Sequence, residues 1–257
     1  MEILLTCGIG DFIAMESHAP LVERELVTSI HWATRARESI QQLVPFVFPN
    51  VEEHVVQRDT WGAPFTTEFC VSSRDDLPNL PPEVVDWSVK VVSDEIRTGQ
   101  RRFHGSALMD VQLATLDGIP LPTRPYFVVH PFSENARTVE RDLDPRERTA
   151  AFRHAAKLGY SCVVVNKGGP RIAVPPNVVD LSDKLTLFQT LEIVKRAAGF
   201  IGCASFPAVL AAQVLTPQWL FVKCNPSVKR FYHWLYYAPQ STNQFCSSDL
   251  LDLFPHG

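Results

Sequence analysis

No stretch of this chain approaches the roughly 20 consecutive apolar residues that a helix needs to cross a bilayer, so the sequence offers no membrane span. No secretory leader is expected either. Acidic Glu2 stands where a leader would carry positive charge, and the apolar run behind it ends at Thr6. A cytoplasmic protein is the expectation. The six cysteines, Cys7, Cys70, Cys162, Cys203, Cys224 and Cys246, are scattered with no C-x-x-C pair, which removes the usual redox and zinc-ribbon patterns and leaves reduced core thiols. The eight histidines show neither H-x-H nor H-x-x-x-H spacing, so neither a metal site nor any other cofactor is expected. Positive charge is not in excess: the net charge of −4 gives no global attraction to nucleic acid or anionic membranes. Repeats and low-complexity segments are absent as well.

What is present is an ordinary globular composition of 257 residues, 46% hydrophobic and 20% charged, long enough for one large domain or two modest ones. Short apolar runs alternate with helical patterns. Strands are expected at residues 2–6, 26–32 and 51–57, with helices at 12–25 and 35–43 between them, an order that predicts parallel βαβ winding. The middle is less regular, with a short strand near 65–71 and an apolar-faced helix over 83–98. Residues 118–125, GIPLPTRP, hold three prolines in eight positions, resist regular structure and make the best linker. Beyond them the alternation restarts. Strands are expected at 126–130, 162–165, near 178–179, from 200 and at 219–222, with helices at 145–158, 185–198 and 206–215. Asp144 before Pro145 reads as a helix cap and Gly159 as that helix's stop. The aromatic segment 231–237 reads as a helix packed across the first half.

In doubly wound sheets ligands bind outside the carboxyl ends of the strands, and four such loops carry chemistry here. Gly8-Ile9-Gly10-Asp11 lets backbone approach a ligand, and Asp11 suits a helix cap, a general base, or both. The full G-x-G-x-x-G dinucleotide fingerprint fails at Ile13. His130 to Arg137, with Arg141 beyond, offers Ser133, Asn135 and Arg137 to a diphosphate, or a solvated loop. Asn166-Lys167-Gly168-Gly169 supplies glycine flexibility and one cation. Gly202-Cys203-Ala204-Ser205 leads into a helix whose first N–H groups, with the Ser205 hydroxyl, suit a phosphate or merely cap a turn. Asp142-Leu143-Asp144 spells D-x-D, but Asp144 is better explained as the cap. The aromatic cluster Phe231, Tyr232, Trp234, Tyr236 and Tyr237 is better explained as core than as a stacking platform.

Three segments, ILLTCGIGDF, YFVVHPFSENAR and VVDLSDKLTLFQTLEIVKRAAGFIGCASFPAVLAAQVL, resemble in order the landmarks of the ADP-heptose:lipopolysaccharide heptosyltransferase-like family. Residues 61–118 match nothing in it. The resemblance implies a GT-B fold of two Rossmann-like lobes facing across a cleft: an acceptor-side lobe over 1–120, a donor-binding lobe over 125–225, and a tail helix over 226–257 returning to the first lobe. It implies inverting, metal-independent transfer of a sugar from a nucleotide-diphosphate sugar to the hydroxyl of a saccharide, protein or small acceptor. Asp11 holds the family's general-base position, and Gly10, Ser133, Asn135, Arg137, Lys167, Gly168 and Ser205 the donor and phosphate positions. The family's G-N-D-S-G-x-x-H donor loop is altered: Ser205 is retained, while the acid becomes Ala204, the glycine Phe206 and the histidine Val209. Two other readings compete. One is a transferase acting on a hydroxylated nucleic-acid base, with Arg97, Arg101, Arg102 and His104 as a basic rim. The other is a catalytically silent GT-B-like binding or scaffold protein.

Overall fold

A computed structural model describes residues 1–34, 36–57, 77, 80–87, 89–91, 103–133, 142–168, 172–221 and 243–246. The chain divides into two compact units, Met1–Val111 and Gln112–Gly257. That division falls ahead of the proline-rich stretch expected to be the linker. The Leu113 N–H donates to Glu192 at 3.1 Å, which ties the residues after Gln112 to the second unit before the prolines are reached.

The first unit is built on a four-stranded parallel sheet of order β3-β2-β1-β4. Its elements are β1 (Glu2–Leu5), α1 (Ile9–His18), α2 (Leu21–Glu25), β2 (Ser29–Trp32), α3 (Arg37–Val47), β3 (Glu53–Val56) and β4 (Val85–Asp86). Ile3, Leu4 and Leu5 are fully buried and all four residues of β2 are buried, as expected for strands covered on both faces. The single helix expected over 12–25 is two. It starts earlier, at Ile9, and breaks at Ala19-Pro20, because proline cannot donate to the preceding turn. α3, by contrast, continues through Pro45 to Val47. The helix expected over 83–98 begins with a strand: Val85 and Asp86 pair with Ile3 and Leu4, and the chain becomes helical only at Trp87. Adjacent β-branched Val84 and Val85 fill a slot beside β1 that a helix cannot enter. Phe12, Phe48 and Trp87 interlock edge to face beneath the sheet, at 6.0 and 5.2 Å between ring centroids.

The second unit carries a six-stranded parallel sheet of order β10-β9-β8-β5-β6-β7. Here β5 is Tyr126–His130, α4 Pro145–Lys157, β6 Ser161–Val164, β7 Val178–Asp180, α5 Leu187–Lys195, β8 Gly199–Cys203, α6 Phe206–Gln213, β9 Gln218–Phe221 and β10 Asn243–Cys246. All residues of β5 and β8 are buried. α4 begins where the sequence places it. The Asp144 carboxylate accepts from the Arg146 and Glu147 N–H groups at 2.7 and 2.9 Å, and Glu147 returns the favour to the Asp144 N–H at 2.7 Å, a complete capping box with Pro145 in the first turn. Gly159 then ends it at φ +81°, a left-handed stop that favours glycine. Of the tail expected to be helical, residues 243–246 form a strand beside β9; residues 231–237 lie outside the described ones. Edge addition satisfies the open hydrogen bonds of β9, which a helix in that place would leave unpaired.

Candidate functional site: two switch points

In a parallel sheet wound both ways from one strand, the loops at the reversal part to opposite faces and leave a crevice at the carboxyl ends. The first sheet runs from β1 out to β2 and β3, then adds β4 on the other side of β1. Its reversal lies between β1 and β4. The second runs from β5 to β6 and β7, then from β8 to β9 and β10 on the opposite side, so its reversal lies between β5 and β8. The helices confirm the winding. Phe127 and Val129 of β5 share a core cluster with Ala151, Phe152 and Ala155 of α4. The neighbouring Tyr126, on the opposite face, donates its hydroxyl to Ile193 of α5 at 3.0 Å.

The β1–α1 turn therefore stands at the first switch point. Gly8 is the N-cap of α1, so Asp11 is not the cap residue but sits in the third helical position, half-buried, and its Oδ2 accepts from the Gly8 N–H at 3.3 Å. Glycine has no side chain to complete a capping box, so the carboxylate belongs to the helix start in one direction only. The turn is held by a residue that motif reading passes over: Thr34, after β2, donates its hydroxyl to the Cys7 carbonyl at 2.6 Å and accepts from the Ala36 N–H at 3.1 Å. Its signal is faint, a lone threonine after a buried strand. Gly10 lies within the first turn of α1.

At the second switch point the loops after β5 and β8 carry Ser133 and Ser205. The Ser133 N–H donates to Asp142 Oδ1 at 2.9 Å; Asn135, Arg137 and Arg141 lie outside the described residues. Ser205 is the N-cap of α6 but does not cap it with its side chain, donating instead to the Cys203 carbonyl at 3.2 Å. Pro207 has no N–H, and Ala208 is already bonded to the Ser205 carbonyl at 3.1 Å. The Phe206 amide is thus the first-turn N–H with no intrahelical partner. Ala204, at the position of the family's acid, is only 2% exposed.

Between these loops lies His130, the last residue of β5 and buried. Its Nδ1 donates to the Val165 carbonyl at 2.8 Å, and burial lowers its pKa to about 4 against the raising effect of that bond. The ring is therefore neutral at pH 7, with its proton on Nδ1. Opposite it in register stands Gly202. A Cβ there would come within 2.6 Å of the His130 carbonyl oxygen, so only glycine lets the two strand ends close on each other.

Lys167 and Gly168 occupy the loop one strand further out, after β6. Lys167 is exposed, and the Gly168 N–H, at φ +67°, donates to Asp183 Oδ1 at 2.8 Å. Asp183 also bonds back through its own N–H to the Asn166 carbonyl at 2.9 Å. It was legible only as part of a polar SDK run after a strand. Of the proposed basic rim, Arg97, Arg101 and Arg102 lie outside the described residues, and the backbone N–H of His104 donates to the Ser17 carbonyl at 2.8 Å. Among the described residues no three His, Cys, Asp or Glu side chains gather as a metal would need, and no helix is long and apolar enough to cross a membrane. Cys7, Cys162 and Cys203 are not joined in disulfides.

No protein-family profile matches the chain, and neither does any curated protein sequence. Solved structures do. The E. coli ADP-heptose LPS heptosyltransferase II superposes with a TM-score of 0.61 at 12% identity, over 96% of this chain and 90% of its own. A glycosyl transferase family 9 protein from Veillonella parvula gives 0.58 at 12% identity, over 96% and 86%. The fold is that of the heptosyltransferases. A third similar structure, the dodecameric iron-containing heptosyltransferase TibC in complex with ADP-D-β-D-heptose, gives 0.56 at 14% identity over 96% of this chain, which spans only 64% of TibC. The heptosyltransferase-like fold thus accounts for both parallel-sheet lobes and for the order in which the sequence landmarks occur.

Proposed function

We propose that the protein is a glycosyltransferase that moves a sugar from a nucleotide-diphosphate sugar to an acceptor hydroxyl, with inversion and without a metal. The observation that carries this reading is the coincidence of sequence and topology: in each lobe, a loop singled out for its chemistry is the loop at the switch point. Asp11 serves as the base. Its carboxylate takes the proton of the acceptor hydroxyl as that oxygen attacks the sugar carbon, and the nucleoside diphosphate departs. The start of α6, with Ser205 and the Phe206 amide, and the loop from Ser133 to Arg137 hold the diphosphate, where backbone N–H groups and a guanidinium offset its charge. Lys167 adds a cation at the rim. Because Ala204 brings no acid to the donor loop, the donor need not be ADP-heptose.

A thermal-shift screen against UDP-, GDP-, ADP-, CMP- and dTDP-sugars tests donor binding, since a ligand for the folded state raises the melting temperature by mass action. Nucleotide release from the selected donor then tests chemistry. Asp11→Asn is expected to keep the thermal shift and lower release at least 100-fold. Release unchanged in Asp11→Asn removes Asp11 as base. A shift with no release by the wild-type protein identifies a silent binding protein instead.

A further inference from the structure

β1 and β2 pair in parallel as far as Leu5 and Trp32, and the Ala33 N–H extends the ladder to the Leu5 carbonyl at 3.0 Å. Two residues further along the first strand, the Cys7 carbonyl meets the Thr34 hydroxyl at 2.6 Å. A carbonyl only accepts, so the single hydroxyl proton of Thr34 lies in this bond, and the hydroxyl oxygen takes the Ala36 N–H at 3.1 Å. Thr34 is only 8% exposed, which leaves water little access to either bond.

The Cys7 carbonyl and the Gly8 N–H are the two ends of one peptide group. A trans peptide is planar and points them in opposite directions. One end is held by Thr34, while the other donates to Asp11 Oδ2 at 3.3 Å. The carboxylate lies close over Gly8: a Cβ there would stand 3.3 Å from the same oxygen, so a side chain at this position would crowd it. Turning the peptide far enough to release Asp11 would break the shorter bond to Thr34. A hydroxyl donated to the carbonyl also polarises the peptide and strengthens its N–H as a donor. The connection thus runs from the end of β2, across the end of β1, to the first turn of α1.

We propose that Thr34 is a positioning residue for the glycosyl transfer: its hydroxyl, acting through the Cys7–Gly8 peptide, holds the Asp11 carboxylate in the orientation in which it takes the acceptor proton. The inference rests on the reading of Asp11 as the base. Thr34 acts on the carboxylate and not on the donor, so its loss lowers turnover and leaves donor affinity alone. Misplacing a reacting group by about 1 Å can cost on the order of 100-fold in rate.

Nucleotide release by the intact protein is measured with the member of the UDP-, GDP-, ADP-, CMP- and dTDP-sugar panel that raises the melting temperature most. Thr34→Val keeps the shape and removes the hydroxyl. It is expected to lower kcat at least about 10-fold while the donor KM stays within about twofold of wild type. Thr34→Ser keeps the hydroxyl and is expected to retain kcat within about threefold. Thr34→Val added to Asp11→Asn is expected to remove nothing further, because residues that act as a unit are not additive. Thr34→Ala also removes the hydroxyl and carries the same expectation where circular dichroism melts show that the valine variant fails to fold. The proposal is overturned, with Asp11 still the base, if release is impaired in Asp11→Asn but kcat is unchanged without the Thr34 hydroxyl. It is overturned in the same way if the loss falls on the donor KM, if Thr34→Ser loses as much as Thr34→Val, or if the loss persists in the Asp11→Asn background. An unimpaired Asp11→Asn, or a panel from which the wild-type protein releases nothing, overturns the base reading and this proposal with it.

Discussion

Glu16 lies on α1 with no exposed surface, yet it is an acid. One carboxylate oxygen accepts from Arg24 at 2.6 Å and from the Ala107 N–H at 3.1 Å, and the other meets the Ser106 hydroxyl. These contacts favour the charged form, but burial outweighs them and pushes the pKa up to about 7 from 4.5. The folded lobe therefore holds this proton more tightly than the unfolded chain does. Stability from this group is fully present below pH 4.5 and is lost as pH rises toward and through 7. With 1.36 kcal/mol per unit, the loss between pH 5 and pH 8 is about 2.5 kcal/mol. Glu16→Gln keeps the shape. Its amide oxygen can accept from Arg24 and Ala107 while its NH₂ donates to Ser106, and it carries no titration. Hydrogen exchange of β1 and β2 amides, compared between wild type and variant at each pH so that intrinsic rates cancel, reads the first lobe alone. The variant is expected to gain about 2.5 kcal/mol on wild type between pH 5 and pH 8. A difference that stays flat across that range refutes the reasoning and means that the Arg24 pair keeps Glu16 ionised throughout.

Three further outcomes follow from the second lobe. His130, held neutral with a pKa near 4 against 6.5 in an unfolded chain, contributes stability that is present above pH 6.5 and disappears as pH falls through 4. His130→Gln should flatten the acid limb of a urea-denaturation series by about 3 kcal/mol, and an unaltered limb places the titration elsewhere. Gly202→Ala forces a Cβ to within 2.6 Å of the His130 carbonyl oxygen, and should cost about 1–3 kcal/mol by pushing β5 and β8 apart. A melting temperature within a degree of wild type contradicts that contact. Asp144→Ala removes both N-cap bonds of α4 and should cost about 1 kcal/mol, and a melting temperature equal to that of wild type contradicts the cap.

Much of this architecture could be read from the chain because its strands are short apolar runs with sharp ends. The expected strand at 126–130 coincides with β5, and Asp144, Pro145 and Gly159 bracket α4 as capping chemistry requires. Expectations failed where a local rule met tertiary context. Val85 fits a helical face by periodicity but is drawn with Asp86 into the sheet by the open edge of β1. Pro20 splits a helix, whereas Pro45 is carried inside one that packs well enough to tolerate it. The candidate site was legible as loops, since glycine, serine and aspartate after apolar runs mark strand-to-helix turns. Its supports were not. Thr34, Asp142 and Asp183 act through backbone atoms distant in sequence, and no spacing rule exposes such partners.

The central claim is that the crevice between β5 and β8 receives the diphosphate of the donor. Hydrogen exchange of the intact protein with and without the nucleotide sugar that the thermal screen selects tests it most directly. The account predicts new protection in the loop through Ser133 and at the start of α6, around Ser205 to Ala208, with residues 172–178 unchanged. Protection confined to other segments, with both of these loops exchanging as they do in the free protein, would contradict it.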